Sequence, residues 1–179
     1  MSWIEVESKL KVHDVKEARK RIKNLAKFVK IENKIDEYFS LETVRYPKRS
    51  LRVRNKGKNR EVNFKKWLSY ENGIHSKKEV EFKVSDLKGF YDLINDFGFK
   101  KWMKKEKKTE LYRTKDGVNI ELNYVKRLGW FIEIEYLAMH NEITKAQKKI
   151  DKLRTELGFI KKDIEKKGYT KSLWELKRK

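Results

Sequence analysis

No cysteine occurs among the 179 residues. That removes a disulfide framework, a thiolate metal site and a cysteine nucleophile at once. Proline occurs once, at Pro47, and glycine eight times. None of the glycines forms the spaced run that cradles phosphates, so neither a P-loop nor a kinase-type site is expected. The three histidines, His13, His75 and His140, lie far apart and form no zinc spacing; they read as surface residues. No apolar stretch is long enough to span a membrane, and none near the start resembles a secretion signal, so a soluble, cytoplasmic protein without membrane partners is expected.

Charge is abundant. Asp, Glu, Lys and Arg make up 41% of the chain, and 47 Lys+Arg against 27 Asp+Glu give a formal net charge of +20. Such a balance attracts polyanions: nucleic acid first, with nucleotides, polyphosphate or an acidic surface equally allowed. A lysine- and glutamate-rich chain without cysteine also fits heat adaptation, which needs no partner. Aromatic residues at 12% argue against disorder, and the length suits one domain with a proper core.

Ile4-Glu5-Val6-Glu7-Ser8-Lys9-Leu10 places Glu5, Glu7 and Lys9 on one face of a strand and Ile4, Val6 and Leu10 on the other. Alone it reads as an ordinary surface strand, but the pattern returns. Asp14 caps a helix with Glu17 in the capping-box position, and Val15, Ala18, Ile22, Leu25, Ala26 and Val29 form its apolar stripe. A strand over 35–43, a loop at Tyr46–Ser50 and the alternating Leu51-Arg52-Val53-Arg54 follow. A hairpin turn at 55–59 then leads into a return strand over 61–65.

After a loop at 71–73, Glu79-Val80-Glu81-Phe82-Lys83 repeats the opening. A helix capped by Ser85 or Asp86 follows, with Leu87, Phe90, Ile94 and Phe97 inward and Gly98 as its stop. Strands are expected over 100–114, 118–125 and 130–137. A helical tail carries the stripe Ile143, Ala146, Ile150, Leu153 and Leu157, then a short segment over 170–176. Residue spacing and element order point to a single domain over 1–179 built from two pseudo-repeats, about 3–70 and 77–138, with a helical tail over about 141–179.

Six or more strands thus carry ions on one face and apolar residues on the other, while each main helix needs an apolar surface to cover. An α+β fold satisfies both demands if the antiparallel sheet closes into a β-barrel, with helices packed on its apolar outside and the ionic faces lining the lumen. That lumen gathers Glu5, Glu7, Glu79, Glu81, Glu121, Glu133 and Glu135 with Lys9, Arg52, Arg54, Lys65, Lys83, Lys105 and Lys107. Arginine and lysine in a confined channel grip phosphate oxygens. Carboxylates without histidine or cysteine suit a hard cation, Mg²⁺ or Mn²⁺. Together they fit a metal–triphosphate complex, with catalysis by positioning and charge neutralisation.

Glu5-Val6-Glu7-Ser8-Lys9 resembles the ExExK signature of the CYTH superfamily, the triphosphate tunnel metalloenzymes. The resemblance continues through Leu51–Arg54, Phe64-Lys65, Glu79–Glu81, the Lys105–Tyr112 strand, Leu128–Glu135 and Gly168–Leu173, and it is nearest to the class IV adenylate cyclase branch. It implies a closed antiparallel β-tunnel in which Glu5, Glu7, Glu133 and Glu135 hold divalent metal, with Glu121 a further ligand. It also implies that Lys9, Arg52, Arg54, Lys65, Lys105 and Lys107 bind the triphosphate, ATP or inorganic triphosphate. Two positions depart from the family pattern: Asn123 stands where an acid is usual, and Thr109 where the arginine of a Lys-x-Arg pair is usual.

The leading expectation is an adenylate cyclase-like enzyme, with an inorganic or thiamine triphosphatase as the alternative. A non-catalytic binder of RNA or polyphosphate and a heat-adapted structural protein rank below both. A homodimer through an open barrel edge is compatible with the sequence.

Overall fold

The computed structural model describes residues 4–56 and 59–178; the side chains of Lys56, Asn59, Lys65 and Trp67 lie outside the described residues, as does the tip of the hairpin turn expected at 55–59. The strands are β1 (Ile4–Lys11), β2 (Lys27–Ser40), β3 (Leu51–Lys56), β4 (Asn59–Glu71), β5 (Ile74–Lys83), β6 (Lys100–Arg113), β7 (Asn119–Val125) and β8 (Gly129–Ala138). They close into one barrel in the order β1-β5-β4-β3-β2-β6-β7-β8, and every neighbouring pair is antiparallel. The α-helices among the described residues are α1 (Val15–Leu25), α2 (Leu87–Asp96), α3 (Ile143–Glu156) and α4 (Tyr169–Lys177). Strand, helix, strand and hairpin follow one another twice along the chain, as β1-α1-β2-β3-β4 and β5-α2-β6-β7-β8.

The apolar residues face outward from the barrel, and the helices bury them. Val6, Leu10, Ile120, Leu122, Ile132 and Ile134 pack with Ala18 and Ile22 of α1 and Ala146, Ile150 and Leu153 of α3 in the largest core cluster. Phe39, Val53 and Val62 form a second cluster with Ile94, Leu87 and Phe90 of α2. At about 25 cal/mol per Å² of apolar area, these two layers are the principal term holding the barrel closed. Leu173 of α4 packs on Trp102 and Met103 at one barrel end.

The helix caps follow the chain's local chemistry. Asp14 accepts from the backbone N–H of Lys16 and Glu17, while the Glu17 carboxylate engages Arg21 at 2.8 Å. Asp86 caps α2 through the Gly89 N–H at 3.0 Å.

Some boundaries differ from expectation. The α1 stripe stops at Leu25, because Ala26 turns extended (φ −144°, ψ 149°) and leads straight into β2. Val29 is therefore a strand residue, 44% exposed, and β2 begins eight residues earlier than its apolar pattern indicates. Phe97 caps α2 from outside its buried face and is 71% exposed. His75 is half-buried between strands and its ring packs on Tyr70, where a surface residue was expected.

Candidate active site in the barrel lumen

Strand alternation sends Glu5, Glu7 and Lys9 of β1 inward, and the register places Glu7 opposite Glu135 and Lys9 opposite Glu133. β7 adds Glu121, paired with Glu133 across the β7–β8 ladder. These side chains, with Arg52 and Arg54 of β3 and Lys105 and Lys107 of β6, line a cavity of about 330 Å³ in the lumen. Tyr169 and Thr170 at the start of α4 line it as well.

The charges interleave in two ion-pair clusters. In the one built on glutamates of β1, β7 and β8, the Lys9 ammonium lies 2.6 Å from Glu7 Oε2 and 3.3 Å from Glu133 Oε1. Lys77 contacts the other Glu7 oxygen. Lys107 donates to Glu121 and Glu133, at 2.8 Å each, and Lys34 donates to Glu121 at 2.7 Å. In the other cluster, Asp36 has no exposed surface and accepts two bonds from Arg54, at 2.6 and 2.9 Å. Lys105 reaches the same carboxylate at 2.9 Å. Arg52 lies 3.5 Å from Glu79, and its Nε is buried without a hydrogen-bond partner. That donor, in the cavity wall, is fit for an anionic oxygen.

For most of the buried lumen ions whose titration is displaced, pairing outweighs burial. Lys9 and Lys107 are held above the usual lysine range because Glu7 and Glu133, or Glu121 and Glu133, overcome the cost of burial. Asp36, Glu121 and Glu133 are held below the usual carboxylate range by their cationic neighbours, again against burial. Lys34 is the exception: burial dominates and lowers it despite Glu121. Lys9 and Lys107 are thereby held as ammoniums and Asp36, Glu121 and Glu133 as carboxylates at neutral pH.

Among the described residues, no three acidic or histidine side chains stand ready as a metal shell. The donor set nonetheless fits a hard divalent cation: it is all carboxylate oxygen, and it already holds positive charge, the Lys9 ammonium bridging Glu7 and Glu133. Glu7, Glu121 and Glu133 are the carboxylates that would hold such a cation, which would there supply neutralisation of negative charge.

A CYTH domain model matches residues 3–169. The chain belongs to the CYTH family. A Methanocaldococcus jannaschii protein described as a "putative adenylate cyclase" is 28% identical over 170 residues, covering 93% of this chain and 96% of that protein. Among solved structures, the PH1819 protein of Pyrococcus horikoshii superposes with a TM-score of 0.82 at 28% identity, covering 96% of this chain and 99% of that one. A Hippeastrum protein, described as a putative adenylyl cyclase that reveals a dominant triphosphatase activity, has a TM-score of 0.65 at 15% identity, over 98% and 96% of the two chains. At that identity it shares the fold.

Most CYTH-type positions meet in the lumen: Glu5, Glu7, Lys9, Arg52, Arg54, Lys105, Lys107, Glu121, Glu133 and Glu135 all line the one cavity. Lys65 sits opposite Glu79 in the β4–β5 ladder, and its side chain lies outside the described residues. Glu79 stands half-buried beside Asn63 and Arg52, whereas Glu81 and Lys83 run on to the exposed end of β5. The two departures from the CYTH pattern meet each other: Thr109 and Asn123 are register partners, and Thr109 Oγ1 donates to Asn123 Oδ1 at 2.6 Å. The Asn123 amide then donates to Glu133 at 2.8 Å. A neutral pair thus fills the place where the family pattern has an acid and an arginine.

Lys34, Asp36, Lys77 and Tyr169 are among the lumen residues that the sequence reading did not gather. Lys34 and Asp36 share the inward parity of β2, a signal of the same kind as Arg52 and Arg54, but Lys34 precedes the strand start inferred from the sequence. Lys77 shares parity with Glu79 and precedes the inferred start of its strand. Tyr169 enters from the tail, and no strand periodicity marks it.

Proposed function

We propose that this CYTH protein is a divalent-metal-dependent enzyme that binds a triphosphate in its tunnel. Its proposed reaction is that of a class IV adenylate cyclase, ATP to cyclic AMP and pyrophosphate. The observation that supports this reading is the ionic lumen, in which glutamates of β1, β7 and β8 stand among Lys9 and the arginines and lysines of β3 and β6 around one cavity. In this reading Glu5, Glu7, Glu133 and Glu135, with Glu121, hold Mg²⁺ or Mn²⁺. The metal supplies charge neutralisation at the reacting phosphorus. Lys9, Arg52, Arg54, Lys105 and Lys107, with Lys65, grip the phosphate oxygens. Held by the barrel strands, these cations stabilise the charge that develops on the leaving group.

A triphosphatase is the second reading, because it needs the same cations and metal, and the Hippeastrum protein of this fold is described as dominantly a triphosphatase. One incubation separates the two: ATP and, separately, inorganic triphosphate with Mg²⁺ or Mn²⁺, the products resolved by chromatography. Cyclic AMP with pyrophosphate is the expected result. Orthophosphate without cyclic product makes the chain a triphosphatase, and turnover of neither substrate under any metal refutes both.

A further inference from the structure

Both oxygens of Glu7, Glu121 and Glu133 already have a partner, and those partners differ in whether they can leave. Lys9 bridges Glu7 Oε2 and Glu133 Oε1, and Lys107 bridges Glu121 Oε2 and Glu133 Oε2. Each is an ammonium on a flexible four-carbon stem, which swings toward whichever anion is offered. Asn123 is of another kind. Its amide nitrogen lies 2.8 Å from Glu133 Oε2 and 3.3 Å from Glu121 Oε2, so it stands beside Lys107 between the same two carboxylates.

Asn123 can neither swing away nor turn over. It and Thr109 have no exposed surface, and they face each other across the β6–β7 ladder. Thr109 Oγ1 donates to Asn123 Oδ1 at 2.6 Å and fixes the amide from behind. Ionised carboxylates only accept, so the NH₂ must point at the glutamates and the oxygen at the hydroxyl. Turned over, the amide would set its oxygen against two negative charges. A hard cation takes oxygen ligands, and this edge offers it N–H donors instead. An aspartate in the same place would present an oxygen there and add a third negative charge beside Glu121 and Glu133. The cluster therefore has two unlike edges. The Glu7–Glu133 edge is filled by an ammonium that can move, and the Glu121–Glu133 edge is shared by an amide that cannot.

We infer that Asn123, locked by Thr109, closes the Glu121–Glu133 edge to a second cation, so that the carboxylate cluster takes a single divalent ion. Asn123 is a positioning residue in this scheme, acting through the two glutamates it holds. The inference rests on the tunnel being a divalent-metal site and adds how many ions that site takes.

Titration of the whole chain with Mn²⁺, without any triphosphate and followed by electron paramagnetic resonance, tests this. The free-ion signal counts bound ions, and the spectrum of the bound ions reports whether they have a magnetic neighbour. Glu133→Gln serves as the blank, and ions that it still binds are counted as surface ions. The wild type is expected to bind one Mn²⁺ above the blank, with the spectrum of an isolated ion. Asn123→Asp, in a chain whose circular dichroism matches wild type, is expected to bind two. Paired cations lie about 3.5–4 Å apart, so their spectrum should be broadened by coupling. The wild-type count needs no variant, so a coupled pair there overturns the inference even if Asn123→Asp does not fold. A single isolated ion in a folded Asn123→Asp overturns the role given to Asn123. No Mn²⁺ above the blank in the wild type has a different meaning: it refutes the metal reading on which the inference rests.

Discussion

Replacing Asp36 with asparagine keeps the side chain's shape and removes one negative charge from beneath two cations. Asp36 is wholly buried, and it holds Arg54 by two bonds and Lys105 by a third contact. Removing one partner of a buried ion cluster leaves uncompensated charge and costs about 3–5 kcal/mol. For a domain of this size each kcal/mol moves Tm by about 2–4 °C, so the melting point should fall by roughly 6–20 °C.

The loss should also depend on pH. Lys105 and Arg54 outweigh burial and hold the Asp36 pKa in the folded chain well below its ordinary 3.8. The stability it contributes is therefore whole above that value and drains away as pH falls toward the folded-state pKa. Differential scanning fluorimetry of wild type and Asp36→Asn between pH 3 and 7 should show a gap that is constant near neutrality and narrows in acid. Inorganic triphosphate should stabilise the variant more than the wild type, because its phosphate meets cations no longer shared with Asp36. A Tm change under 2 °C at pH 7, or a gap that widens in acid, would show that Asp36 does not hold the Arg54–Lys105 cluster together.

Three other substitutions probe separate parts of the account. Glu133→Gln should lower Mn²⁺-dependent turnover by more than about 100-fold, beyond the 10–100-fold typical of groups that merely support a metal ligand, with the circular dichroism spectrum unchanged; retained turnover places the metal elsewhere. Thr109→Val removes the donor to Asn123 and should cost about 1–3 kcal/mol in urea unfolding, whereas Thr109→Ser should be nearly neutral. Equal losses in the two would mean that packing, and not the hydroxyl, matters there. Gly73 sits in the β4–β5 turn at φ +85° with Ile164 against it, so Gly73→Ala should destabilise by about 1–3 kcal/mol through backbone strain and crowding. A Tm equal to that of wild type would refute it.

The barrel was legible because period-two alternation put ions and apolar residues on opposite faces, and the helices' own stripes left the sheet's apolar side nowhere to go but outward. β1 and β8 show this most plainly: Glu5, Glu7, Lys9, Glu133 and Glu135 line the cavity while Val6, Leu10, Ile132 and Ile134 are buried under helices. The boundary of α1 was not legible. Ala26 and Val29 continue a helical spacing, and no glycine or proline marks the stop. The chain leaves the helix because the β2–β6 ladder, paired from Lys27 to Ser40, outweighs local propensity. Starting β2 and β5 late then hid Lys34 and Lys77. Asp36 fell within the expected strand but drew no notice, since a lone acid carries no motif. Strand alternation alone did not place Trp102 or Tyr169 at the cavity, because a bulge on β6 reverses the parity that would send Trp102 outward and Tyr169 arrives from the distant tail.

The central claim is that the lumen, and not the chain's excess positive charge, binds the triphosphate. Calorimetric titration of Mg²⁺–triphosphate into wild type, Arg52→Ala/Arg54→Ala and Lys162→Ala/Lys177→Ala tests it most directly, since each variant removes two positive charges. The account predicts that binding vanishes in the arginine pair, which lines the cavity, and stays within threefold of wild type in the exposed lysine pair. Equal weakening in both, with the steep salt dependence of a surface polyanion site, would contradict it.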